Sequence, residues 1–278
     1  MAQTIGQALQ HWRKQRRYSQ LQLAIELDIS SKHISFIETS RSQPSKAMIL
    51  KIGLFLSLSK REINRLLVIG GYAPAYSELS LEHKNLKPVT DAIASIIENH
   101  LPYPALVLNA DWDITGLNDS AKSLMIDIGF ANQTNLIEAM INDKPTTTNK
   151  PKIVNWLEAS TLVLMRIREE LSLLGTSNHL HKLEDELRQC LESSASQLDS
   201  KMIDSINTKQ AVLTTQLQVG DRVLSFFSII AQLGAVQEVT LSEYKVELMF
   251  PSDDVTRHYY DLLNKKSRKT KPNDNEAT

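Results

Sequence analysis

Residues 19–38, SQLQLAIELDISSKHISFIE, hold two short apolar-patterned segments divided by Asp28-Ile29-Ser30. Ser19 followed three positions later by Gln22 is a capping box, in which side chains and backbone satisfy each other's free groups, so a helix begins there. Leu21, Ala24 and Ile25 are its expected buried face, with Ala24 small where the following helix must cross closely. Asp28 stands at the bend and tolerates a left-handed backbone better than most residues. Ser30 caps a second helix whose inward positions are Ile34 and Ile37. That helix opens on Ser31, Lys32 and His33, small or hydrogen-bonding groups where a core helix would be apolar, so its first turn faces something polar.

Outward from this pair, Ile5, Leu9, Trp12 and Arg16 recur at steps of four, three and four and predict a helix from about Thr4 to Arg17. A fourth helix runs from beyond Gln43-Pro44 to about Leu56, and Ser59 with Glu62 opens a fifth that stops at Gly70-Gly71. Residues 1–80 carry 11 Lys and Arg against 5 Asp and Glu, a charge of +6; the remainder carries 20 against 27, a charge of -7. A small basic module joined to a larger acidic one implies that only the first meets a polyanion.

These residues carry a resemblance. Residues 4–70 look like the Xre-type helix-turn-helix domain of phage repressor and Cro proteins, through Ser-Gln-x-x-Leu-Ala at 19–24, the turn, Ile-Ser-x-x-x-Ile-Ser-x-Ile-Glu at 29–38, and the Pro44-Ser45 that follows. The resemblance implies an all-α, five-helix domain whose third helix enters the major groove of double-stranded DNA. Ser31, Lys32, Ser35 and Phe36 would then form its exposed face, with Lys32 donating to guanine and Phe36 pressing on a thymine methyl. Gln20 would hold a phosphate, Arg41 would lie near one, and so would Arg16, Arg17 and Lys46. Arg13 aligns with a position that pairs with the Glu ending the recognition helix, Glu38, in a structural salt bridge. Asp28 and Ser40 depart from the family, which usually has Gly there, and imply slightly strained turns. One such domain reads few bases, so a homodimer on a palindromic operator is expected.

The domain limits read as 1–72 for this module, 73–85 for a turn-rich hinge, 86–264 for a second domain and 265–278 for a disordered charged tail. In the second domain Ala92, Ile93, Ile96 and Ile97 predict a helix, and residues 104–118, PALVLNADWDITGLN, predict two strands around a turn at Asp111-Trp112, with Trp112 as a surface anchor. A short helix over 120–128, long helical periodicity over 153–192 broken at Gly175, strands over 210–219, 222–233 and 244–250, and a helix over 253–263 complete it. This is the strand order of a PAS-like α+β domain with an antiparallel sheet of about five strands.

That half resembles the ligand-binding domain of MmyB-like transcriptional regulators, through Gly-Gly-Tyr-Ala-Pro at 70–74, Pro104 to Asn109 with Trp112 and Asn118, Asn135-Leu136, Val154-Asn155-Trp156, and Phe226-Phe227 onward to Phe250-Pro251 and Asp253. The resemblance implies an internal apolar pocket for fatty-acid-like molecules and no other cofactor. The sheet's concave face and the helices over it would line it with Leu106, Leu108, Leu124, Trp156, Met165, Phe226 and Ile230, and Arg166 or Arg168 would meet a carboxylate head group.

The 278 residues suffice for two domains. A single cysteine, Cys190, excludes an internal disulfide framework and fits a reducing cytoplasm. No stretch predicts a signal peptide or membrane span. Nucleophile elbows, zincin motifs, phosphate-cradling Gly loops and cysteine pairs at metal spacing are all missing from the sequence, and His179 with His181 points two ways on one helix, so neither an enzyme nor a metal site is expected. Three readings stay open: a ligand-controlled transcriptional regulator, a repressor whose second half only dimerises or cleaves itself, and an enzyme or carrier with an attached DNA-binding module.

Overall fold

The computed structural model describes residues 4–78, 83–174, 178–195, 213–232, 239 and 243–270. They fall into two compact units, one on residues 1–80 with 168–177 and 234–242, the other on 81–167, 178–233 and 243–278.

The first unit contains α1 (Ile5–Gln15), α2 (Gln20–Glu26), α3 (Ser31–Glu38), α4 (Lys46–Phe55) and α5 (Lys60–Ile69). Every one of them starts at a hydroxyl cap: Thr4, Ser19, Ser30, Ser45 and Ser59 each accept from a backbone N–H in the first turn. At Ser19 the box closes both ways, with the Gln22 side chain accepting from Ser19 N at 2.8 Å. The helix ends are equally regular. Tyr18, Ile29, Arg41, Leu58 and Tyr72 each return a backbone N–H to the carbonyl five residues earlier. The residue before each of these lies in the left-handed region, as this closure requires. Only α5 uses glycine for it, Gly71; the others use Arg17, Asp28, Ser40 and Ser57, at φ of 51–58°.

The interior of this unit is a single cluster around Leu9, Trp12, Leu23, Ile34, Ile52 and Leu66. Ile34 and Ile37 face inward as expected. In α2 the expected face is corrected: Leu21 and Ile25 are 60% and 67% exposed, and Leu23, Ala24 and Leu27 are the buried set. Leu23 and Leu27, one turn apart, flank Ala24, so the helix is rotated by about one position from the expected stripe. Gly6 lets α1 lie against the end of α3, since a Cβ there would run into the Ile37 carbonyl.

The second unit begins with α6 (Lys87–Asn99), then β1 (Ala105–Leu108), β2 (Ile114–Leu117), α7 (Asp119–Asp127) and α8 (Leu136–Asn142). Two long helices follow, α9 (Trp156–Leu174) and α10 (Asn178–Ala195), then β3 (Thr215–Val219), β4 (Arg222–Gln232), β5 (Lys245–Pro251) and α11 (Asp254–Thr270). The strands form one antiparallel sheet in the order β2-β1-β5-β4-β3, the PAS-like arrangement. The sequence reading did not anticipate α8. The expected strand positions 210–212 and 233 lie outside the described residues. The expected tail is corrected in part, because α11 continues through 265–270.

Three asparagines fasten these elements. Asn118 is 1% exposed; its Oδ1 accepts from Ala105 N and Ala121 N, and its Nδ2 donates to the Ile97 and Tyr103 carbonyls, which ties α6, β1 and α7 together. Asn135 caps α8 and donates back to Asp111 and Asp113. Asn155 donates to the Thr214 carbonyl and accepts from Gln216 N, joining the start of α9 to β3. A buried amide that makes all its hydrogen bonds fixes position without leaving an unmet polar group.

Candidate functional site

In the first unit the sequence-predicted residues come together around α3. Ser31, Lys32 and Arg41 are exposed, and Ser35 and Phe36 are half-buried. Two cations lie near the Phe36 ring, with Lys32 Nζ 5.5 Å and the Arg41 guanidinium 5.9 Å from its centre. The result is a half-buried aromatic ring with two exposed cations near it, a surface suited to stacking and to phosphate.

Beneath it, α3 is clamped. Arg13 donates from Nε to Glu38 Oε1 at 2.6 Å and from a terminal nitrogen to Oε2 at 2.9 Å, and also reaches the Tyr18 carbonyl. The two side chains are 8% and 2% exposed. Gln20 donates to the same carboxylate at 2.7 Å and Gln10 at 3.2 Å. Burial works against ionisation of Glu38, but the hydrogen bonds from Arg13, Gln20 and Gln10 and the Arg13 charge outweigh it and hold its pKa below the ordinary value. The terminal amide of Gln20 thus spends one of its two hydrogens on Glu38, which adds a positioning role to the phosphate contact expected of it. Arg16 is likewise turned to the protein: it donates to the Leu56 carbonyl at 2.9 Å and lies over the Trp12 ring. Arg17 and Lys46 are exposed.

In the second unit a cavity of about 120 Å³ lies between the inner face of the sheet and the helices packed on it. Leu106, Leu124 and Phe226 line it as expected. Leu108, Trp156, Met165 and Ile230 do not, and each has a reason. Leu108 shares a face with Leu106 but is fully buried one pair further along β1, opposite Lys245. Trp156 is buried with its indole N–H donating to the Met140 carbonyl at 2.7 Å, so it acts as a strut. Met165 is 64% exposed, off the Ala159, Leu162, Val163 and Arg166 stripe by which α9 faces the cavity. Ile230 continues the inward row of β4 past Ser228, beyond the cavity.

Trp112 is the largest departure. Expected at the surface, it is 0% exposed, adopts φ 67° and forms cavity wall, with Lys245 Nζ 4.2 Å above its ring centre. A charge-to-ring contact at that distance, on a lysine only 2% exposed, holds the indole in place. The other walls come from α7 and α8 (Ala121, Met125, Met140), the loops (Phe130, Ile153) and β3 (Leu217), with Leu213 46% exposed at the rim. Sheet parity could have found Ser228 and Glu247: once Phe226 faces inward, the residue two further on does too. Arg166 reaches the cavity and Arg168 does not line it.

Among the described residues no cluster of metal-ligating side chains occurs, and no helix is long and apolar enough to cross a membrane. Cys190 is buried, with Lys144 Nζ 4.0 Å from its sulfur.

No curated protein matches the sequence. Residues 9–63 match the helix-turn-helix family, and residues 89–263 match the family described as MmyB-like transcription regulator ligand binding domain. The matched families are DNA-binding and ligand-binding domains rather than catalytic ones. Most of the chain lies within the second match, and with the recognition helix and cavity in place it belongs to the MmyB-like transcription regulators, DNA-binding proteins with a ligand-binding domain.

Proposed function

We propose that the protein is a cytoplasmic repressor that grips a palindromic operator as a homodimer and is controlled by a fatty-acid-like molecule in the cavity of its second unit. The observation that carries the sensor half is the cavity itself. Its walls are mostly aliphatic and aromatic, and its volume of about 120 Å³ is comparable to the roughly 150 Å³ that admits a benzene-sized guest in a dry apolar cavity. An alkyl segment fits such walls, and the exposed rim at Leu213 lets a longer chain continue outward.

The DNA half rests on the Lys32, Phe36 and Arg41 surface. Lys32 reads base edges, Phe36 contacts a thymine methyl, Ser31 and Ser35 add short hydrogen-bonding groups, and Arg41 positions the backbone. Gln20 acts through Glu38, holding α3 at its far end. A ligand that binds one arrangement of the dimer better than another shifts the population of DNA-competent molecules, and that differential affinity is all the coupling requires.

Native mass spectrometry of the purified full chain tests this reading. The expected spectrum is a dimer carrying an adduct of fatty-acid mass that is lost on mild activation. A monomer without adduct, or a chain cut within itself, contradicts it and favours a second half that only dimerises or cleaves.

A further inference from the structure

The cavity walls are apolar except at four side chains, Arg166, Thr215, Ser228 and Glu247. Among the described residues none of the four side chains has a hydrogen-bond or ion-pair partner. Arg166 and Glu247 are both half-buried, yet no ion pair joins them. Elsewhere in the unit most buried polar side chains are paired, the Ser160 hydroxyl being without a partner among the described residues. Asn118 uses all of its hydrogen-bonding capacity, and Trp156 and Asp143 spend theirs on backbone groups. Polar groups facing an internal space without partners are completed by whatever fills that space.

Their placement distinguishes two poles. Ser228 pairs with Met249 and Glu247 pairs with Ile230 across β4 and β5, so Ser228 and Glu247 are diagonal neighbours on the same face, about 7–8 Å apart at Cα. They form one acceptor-rich patch on the sheet floor. Arg166 comes from α9, two turns or about 10 Å along the helix from Ala159, on the opposing wall. A plain fatty acid carries a carboxylate that suits Arg166 and nothing that suits a carboxylate side chain. A half-buried Glu whose cavity side faces only methylene groups loses hydration there without a compensating hydrogen bond.

We infer that the ligand is an acyl chain with a second polar group: a hydroxylated carboxylic acid whose carboxylate pairs with Arg166 and whose hydroxyl donates to Glu247, with Ser228 beside it. This rests on reading the cavity as an acyl-chain site and narrows the ligand class within it. Hydrogen bonds to ionised groups are the strong ones, so the hydroxyl should be worth about tenfold or more in affinity.

The test is calorimetric titration of the full chain, stripped of bound lipid, with dodecanoic acid, β-hydroxydodecanoic acid, ω-hydroxydodecanoic acid and dodecanol. One hydroxy acid should bind about tenfold tighter than dodecanoic acid, and Glu247→Leu should abolish that preference while leaving dodecanoic acid bound, which also shows that the variant folds. Arg166→Met should weaken all three acids and spare dodecanol. Equal affinity for dodecanoic acid and both hydroxy acids, or a preference that survives Glu247→Leu, overturns the inference and leaves the acyl-chain site standing. Binding of none of the four overturns the acyl-chain reading and the inference with it.

Discussion

The two units place charge beside apolar surface in opposite ways. In the first, the cations near an aromatic ring, Lys32 and Arg41 by Phe36, stand at the surface, and the buried charge beneath them, Glu38, is met by Arg13, Gln20 and Gln10. In the second, the cation over a ring, Lys245 on Trp112, is itself buried, and the cavity beside it presents Arg166 and Glu247 without partners in the described residues. The first unit pairs its buried charge internally and presents exposed cations on α3 and beyond its end. On the proposed reading, the second is completed by a ligand in its interior. This is the difference expected between a reading head and a sensor, because a sensor needs a free-energy change on binding and a reading head needs a fixed shape.

The comparison breaks most visibly at the clamp. Arg13→Met leaves the Glu38 carboxylate buried without its ion partner and should cost roughly 3–5 kcal/mol of the first unit's stability, read by chemical denaturation. The clamp also has a pH signature. The folded-state pKa of Glu38 lies below its unfolded value near 4.5, so its stabilisation is fully present above that pH and is lost as pH falls through the folded value. Arg13→Met should flatten that acid limb. An unchanged limb would mean that Glu38 is not the group responsible.

A smaller effect separates reading from positioning. Lys32→Ala should weaken binding to the preferred duplex by about 1–3 kcal/mol and much less on random duplex, whereas Arg41→Ala should weaken both alike and reduce the salt slope. Equal losses for Lys32→Ala on the two duplexes, measured by fluorescence anisotropy, would remove it from base reading.

Smallest are the left-handed turns. Asp28→Gly and Ser40→Gly relieve a side chain held at φ 51° and 57° and should each raise stability by about 0.5–1 kcal/mol, net of glycine's extra chain entropy. A decrease would show that those side chains contribute contacts that outweigh the strain.

The first unit was largely legible because its determinants are local. A cap and its helix lie within three residues, so Ser19 with Gln22, and Ser30 before Ile34 and Ile37, announce themselves. What failed there was rotation: Leu21 and Ile25 are as apolar as Leu23 and Leu27, and only packing against α3 decides which pair is buried. In the second unit the strand order was legible, and the cavity was not. Its walls come from four strands, three helices and the loops between them, and Trp112 depended on a left-handed backbone at a non-glycine residue that no pattern signals. The motif residues on which the resemblance rested, Asn118, Asn135, Asn155 and Trp156, hold the elements together. They were visible in the sequence because the fold needs them, and they say little about which side chains meet the ligand.

The most direct measurement couples the two halves. The affinity of the full chain for a duplex selected from random sequence would be determined by anisotropy with and without saturating acyl ligand, for the natural protein and for Ala159→Trp, whose indole would fill the cavity from α9. A shift of about fivefold or more in the natural protein, absent in Ala159→Trp while its DNA affinity without ligand is retained, is the predicted result. Identical affinity with and without ligand in the natural protein, under conditions where calorimetry shows the cavity occupied, would contradict it.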